Sequence, residues 1–201
     1  DRRPPDAAPF QTPQTCPSCS TPVVREAGEV ALRCPNPACA AVAASRLRHF
    51  VSRAAMDVEG VGERSLEQLA EAGMISDAAS LFELAPDRLA ALPGWGEVSA
   101  AKLMAQLDAA RRRPLERILF AFGNPHVGER AARVLAAAFG SCAALGAAPV
   151  EALEALEGIG TTIAASVRDW FAQPENRELV ERLRNLGVDP RSLPAAPEGA
   201  N

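Results

Sequence analysis

Cys16-Pro-Ser-Cys19 and Cys34-Pro-Asn-Pro-Ala-Cys39 set four thiols in two short knuckles, C-x2-C and C-x4-C, with fourteen residues between them. Two such knuckles can present four thiolates at the corners of a tetrahedron, the arrangement zinc prefers. A shell closed by four protein sulfurs leaves no position for water or substrate, so the expected role of the metal is structural and not catalytic. Residues 21–33 alternate in polarity around Gly28, as a short hairpin bringing the knuckles together would. His49 is a possible spare ligand, but with four sulfurs at hand it is expected on the surface or in packing. Cys142 stands apart and reads as a small buried apolar residue.

A second pattern carries different chemistry. An element G-h-G, with h apolar, recurs as Gly60-Val61-Gly62, Gly94-Trp95-Gly96, His126-Val127-Gly128 and Gly158-Ile159-Gly160, the third copy having His126 for the first glycine. The second glycines lie 34, 32 and 32 residues apart. A turn without Cβ atoms lets backbone amides come close to a ligand. If it opens into a helix, the free N–H groups and the dipole at that end favour an anion. A DNA phosphate fits, and the candidate contacts are Gly60, Gly62, Gly94, Gly96, His126, Gly128, Gly158 and Gly160. Arg64 and Arg130 stand close enough in sequence to add charge. The central Val61, Trp95, Val127 and Ile159 are expected to point inward and pin their hairpins; a base-wedging role is the sharper and less favoured reading.

The elements that must hold these turns follow from spacing. Four residues after each second glycine stand Leu66, Ala100, Ala132 and Ala164, and seven after it Leu69, Leu103, Leu135 and Val167. Those offsets fall on one face of a helix. Upstream, Leu89/Leu92 and Leu153/Leu156 mark a preceding helix in two copies. Each unit is thus helix, glycine turn, helix, with Gly73, Gly140 and Gly187 suited to left-handed caps. The expected fold is mainly α: a small four-cysteine zinc finger (16–45) and an all-α domain (46–188) of four hairpins near 51–73, 81–110, 115–140 and 149–173. Residues 1–15 and 189–201, rich in proline and polar residues, read as linkers cut from a longer chain.

Composition narrows the function. Of 201 residues, 48% are hydrophobic and 4% aromatic, the apolar share being mostly Ala, Leu and Val, which favours helices over sheets. A net charge of −4 argues against holding nucleic acid by bulk charge, so any DNA contact must be local. No signal peptide or membrane-length apolar run is apparent, and clustered cysteines suit a reducing compartment, so a cytoplasmic protein with no membrane partner is expected. A dinucleotide fingerprint fails: the G-x-G pairs lack a third glycine and a preceding strand, and no G-K-[ST] loop is present.

The stretch from Arg46 through Ala54-Ala55-Met56-Asp57-Val58-Glu59 to Gly62, following Leu32-Arg33-Cys34-Pro-Asn-Pro-Ala-Cys39, closely resembles bacterial NAD-dependent DNA ligases where their zinc finger meets their helix-hairpin-helix domain. Arg113-Pro-Leu-Glu-Arg-Ile-Leu-Phe-Ala-Phe-Gly-Asn-Pro-His-Val-Gly128 resembles the same family, and the likeness runs from about Pro5 to Val188. It implies hairpins that grip the minor groove of nicked double-stranded DNA on both sides of the nick. It also implies NAD and magnesium bound elsewhere in the parent enzyme, partner adenylation and oligonucleotide-binding domains upstream, and a BRCT domain after the C-terminal linker. The family's adenylated lysine lies in K-x-D-G; the only lysine here is in Ala101-Lys102-Leu103-Met104, so no catalytic residue is expected and the fragment should be inactive alone. The alternatives are an accessory DNA-binding module of a repair nuclease or helicase, and a protein-interaction module, for which glycine at the turns is ill suited.

Overall fold

The structure is a computed structural model and describes residues 11–25, 30–36 and 38–190. The Gly28 turn and most of both expected linkers lie outside the described residues. The chain divides into two compact units, residues 1–45 and 46–201. Among the described residues it is helical, with no named strand and only isolated antiparallel bridges at Thr15–Pro22 and Val24–Arg33.

In the first unit the backbone itself shapes each knuckle. Around the first, Cys16 N–H donates to the Thr21 carbonyl and Ser20 N–H to the Cys16 carbonyl, both at 2.8 Å, with Ser20 in the left-handed region at φ +59°. The expected hairpin between the knuckles is present as one pair: Val24 and Arg33 exchange two backbone bonds of 2.8 Å. The second knuckle closes on Asn36, whose carbonyl accepts from Cys39 N–H at 3.2 Å, and α1 (Ala40–Val51) starts directly after it. Among the described residues of this unit, Cys16 and Cys39 are the buried apolar ones. A segment with so little apolar burial needs another source of stability.

The second unit is built on the repeat. Gly62, Gly96, Gly128 and Gly160 are the N-caps of α2 (Glu63–Glu71), α4 (Glu97–Ala110), α6 (Glu129–Phe139) and α9 (Thr161–Ala172). The residues four and seven places on, from Leu66 and Leu69 through Ala164 and Val167, are all at most 4% exposed, as their register requires. Burying a leucine such as Leu103 contributes roughly 2 kcal/mol. Three turns are preceded by short helices: α3 (Pro86–Ala90), α5 (Leu115–Ala121) and α8 (Val150–Glu154). The first hairpin differs, because its leading limb is the end of α1 followed by a turn. There Met56 N–H reaches the Phe50 carbonyl and Val58 N–H the Val51 carbonyl, both at 3.0 Å. Asp57 takes φ +53° and meets Arg113 at 2.7 Å.

Two helices fall outside the four hairpins. The first, α7 (Cys142–Ala147), is capped by Ser141, whose Oγ accepts from Ala144 N–H at 3.1 Å. The second, α10 (Pro174–Asn185), begins with proline at its first turn, where a missing N–H costs nothing. Gly73, Gly140 and Gly187 all have positive φ, +64°, +68° and +81°, and close α2, α6 and α10. Polar contacts fasten the two halves of this unit together. Arg182 on α10 reaches Asp77 at 2.6 Å and Glu83 at 3.0 Å, and Arg111 lies over the Phe82 ring while donating to the Leu186 carbonyl. His49 has a packing role of the same kind: its Nε2 lies 2.8 Å from the Phe120 carbonyl, with the two rings edge to face.

Candidate metal centre and nucleic-acid interface

The sulfurs of Cys16, Cys19, Cys34 and Cys39 all lie within 4.8 Å of one another. Cys16 and Cys39 Sγ are 3.8 Å apart, and Cys19 and Cys34 Sγ 3.5 Å. A tetrahedron with metal–sulfur bonds of about 2.3 Å has edges of about 3.8 Å, whereas a disulfide needs about 2.05 Å, so the spacing fits zinc and not oxidation. Electrostatics agrees. The Thr21 hydroxyl, then its backbone amide, favour the Cys19 thiolate and draw its pKa down to about 6. The Asn36 amide favours the Cys34 thiolate, but burial and the neighbouring thiols outweigh it and push Cys34 up to about 12. Four sulfurs this close cannot all ionise alone, and a divalent cation is what would let them. Cys142 is elsewhere, 7% exposed, and burial raises its thiol to about 12.

The turns divide their two glycine positions by function. At the first, Gly60, Gly94 and Gly158 have φ +85°, +80° and +84°, and His126 has +66°. That backbone is left-handed, which accounts for glycine there without any ligand. The second position behaves otherwise. Gly62, Gly96, Gly128 and Gly160 have φ of −85°, −159°, −79° and −84° in extended backbone, which any residue adopts. A Cβ on any of the four would meet nothing within 4 Å. N-caps generally prefer Ser, Asp or Asn, with Thr and Gly next and Ala far behind. Backbone conformation and internal packing therefore leave room for a side chain here, and glycine serves these four positions as an N-cap.

These helix ends are also short of acceptors. None of α2, α4, α6 and α9 has a capping side chain at its N-cap. The second turn is partly self-satisfied, because Gly96 N–H donates to Ser99 Oγ at 2.9 Å. Val61, Val127 and Ile159 are buried, at 6%, 6% and 3% exposure, as inward pins. Trp95 is half-buried and ties sideways: its Nε1–H donates to Gln68 Oε1 at 3.0 Å, joining the second turn to the helix of the first. The first two turns border one cleft of ≈ 930 Å³, where Gly60 and Gly94 share the lining with Arg64, Gln68 and Lys102. Arg64 and Arg130 occupy the second residue of α2 and α6, exposed and without an ion pair to a described residue.

Sequence reasoning named the turns but missed Gln68, Ser99 and Ser166, the side chains that hold them. Their signal was present in register, since Gln68 and Ser166 both stand six residues after their second glycine.

Fold and sites together define a four-cysteine finger joined to tandem helix-hairpin-helix motifs. Residues 15–41 match the NAD-dependent DNA ligase C4 zinc finger domain, residues 52–109 the SAM-like helix-hairpin-helix tandem, and residues 117–180 the helix-hairpin-helix motif. The chain is 45% identical over 188 residues, 93% of its length, to a DNA ligase of Roseiflexus sp. (strain RS-1). It is 43% identical over 97% of its length to one from Synechococcus sp. (strain JA-3-3Ab), and 46% identical over 94% to one from Symbiobacterium thermophilum. It covers 26%, 29% and 28% of those relatives. The chain belongs to the bacterial NAD-dependent DNA ligases, as their zinc-finger and helix-hairpin-helix region.

Proposed function

We propose that this chain is the part of an NAD-dependent DNA ligase that grips double-stranded DNA, holding the minor groove on both sides of a nick during replication and repair. The observation that carries this reading is the second glycine of each turn, which nothing inside the protein requires. A phosphate seated there accepts from first-turn amides and meets the positive helix end, so binding needs little side-chain charge and ignores sequence. Arg64 and Arg130 add charge at the first and third turns. Of the four sulfurs, all would hold one structural zinc that stands in for an apolar core in the finger. The parent's NAD and magnesium, its adenylation and oligonucleotide-binding domains, its nick-sealing activity and its cytoplasmic location all belong to this reading. No described helix is long and apolar enough to cross a membrane.

Fluorescence anisotropy on nicked, intact and single-stranded oligonucleotides across a salt series tests the reading. Duplex should bind more tightly than single strand, with nicked and intact duplex similar if no other domain takes part. The salt slope should be shallow, because few counterions are displaced by side-chain charge. Equal affinity for single strand and duplex contradicts it.

A further inference from the structure

The four turns fall into two kinds, and the difference lies in what surrounds the left-handed residue. In the two inner turns that residue follows a proline: Pro93 before Gly94 and Pro125 before His126. In the two outer turns it follows a glutamate: Glu59 before Gly60 and Glu157 before Gly158. Each inner proline carbonyl also receives a side chain from the neighbouring hairpin. Gln68 Nε2 donates to Pro93 O at 2.7 Å, and Ser166 Oγ to Pro125 O at 2.6 Å.

Gln68 and Ser166 are equivalent in the repeat, each the sixth residue of a helix opened by a second glycine, on α2 and α9. Gln68 carries a second tie to the turn it holds, its Oε1 accepting from Trp95 Nε1–H at 3.0 Å. Ser166 Oγ also lies 2.8 Å from Oδ1 of Asn124, a residue only 8% exposed, so its single proton serves one of two acceptors of the same turn. The same register position on the other two helices holds Lys102 and Val134, and neither makes a hydrogen bond to an outer turn among the described residues.

We propose that Gln68 and Ser166 are positioning residues that hold the two inner turns ready for phosphate, making those turns the stronger grips. This rests on the DNA-gripping reading above. Proline fixes its own φ, and the side-chain bond fixes the carbonyl that leads into the left-handed residue, so an inner turn loses less freedom when an anion arrives. His126 takes the left-handed backbone of the third turn at a steric cost, His being among the side chains enriched there.

The test uses the 201-residue chain with Gln68→Met, Ser166→Ala and Ser166→Thr. For each, thermal unfolding, amide hydrogen exchange and affinity for a nicked duplex are measured. Two amides report turn closure, Trp95 N–H on the Leu92 carbonyl at 3.0 Å and Val127 N–H on the Asn124 carbonyl at 3.1 Å. At temperatures where every variant is folded, Gln68→Met should speed exchange at Trp95 and Ser166→Ala at Val127. Each should weaken DNA binding by roughly three- to tenfold, and Ser166→Thr, which keeps the hydroxyl, should restore both readouts. Gly128→Ala serves as the control for phosphate contact itself. If it weakens binding while Gln68→Met and Ser166→Ala leave affinity unchanged, the positioning role is overturned and the DNA reading stands. If Gly128→Ala is also neutral, phosphate contact at the third turn fails and takes the positioning role with it, whereas absence of all duplex binding by the unmodified chain would sink the DNA reading itself.

Discussion

His126 holds in the third turn the left-handed backbone that Gly158 holds in the fourth, at φ +66° and +84°. The first position of each turn is thus set by backbone geometry, and the second, on the proposed function, by approach of a phosphate from outside. Substitutions should separate the two. Gly60→Ala, Gly94→Ala and Gly158→Ala should each cost about 1–2 kcal/mol of stability, because an L residue is strained there. Gly62→Ala, Gly96→Ala and Gly160→Ala should cost less, about 0.5 kcal/mol each, the loss of an N-cap glycine partly offset by reduced freedom in the unfolded chain. Denaturant titration of both sets checks this; equal losses would contradict it.

The finger depends on its metal. Elemental analysis of protein purified without added metal should find about one zinc per chain, as one closed four-sulfur shell requires. Cys34→Ser should lose the zinc and unfold the finger while helical circular dichroism largely persists, because α2 to α10 are built on apolar burial and not on sulfur. A strong chelator should do the same to the unmodified protein. An ordered finger without metal would overturn the assignment.

Lys102 is the only lysine and lies within α4, so the chain offers no K-x-D-G acceptor for AMP. Incubated with adenine-labelled NAD and magnesium, it should remain unlabelled. Covalent AMP on the chain would refute this.

Much of the fold was readable because it repeats. A single apolar residue four places after a glycine says little, but Leu66, Ala100, Ala132 and Ala164 in one register specify a helix face, and all four are buried. The cysteine cluster was readable because thiol pairs at knuckle spacing have few other uses. The first hairpin's irregular leading limb was not, since its left-handed Asp57 is held by Arg113, distant in sequence. The helices α7 and α10 escaped because they lie outside the repeat. The turns were legible as turns, yet the division of labour between their two glycines was not: both positions show the same letter, and only φ and the space around a Cβ tell them apart. Trp95 packs against the core and in addition bonds to Gln68 of the neighbouring hairpin, a contact no local pattern encodes.

The most direct test of the central claim is the affinity of Gly62→Ala/Gly96→Ala/Gly128→Ala/Gly160→Ala, combined in one chain, for a nicked duplex, compared with the unmodified protein at one salt concentration. A methyl group at each turn enters space that is empty inside the protein, so the helical signal should be retained; four weaker N-caps should lower the unfolding midpoint, and affinity is compared well below it. If backbone amides at these helix ends hold phosphates, each blocked turn should cost about 1.5 kcal/mol, roughly tenfold, and the combined variant should lose binding by at least a hundredfold. Undiminished affinity in a fully folded quadruple variant would show that the turns only pack, and that any grip on DNA comes from side chains such as Arg64 and Arg130.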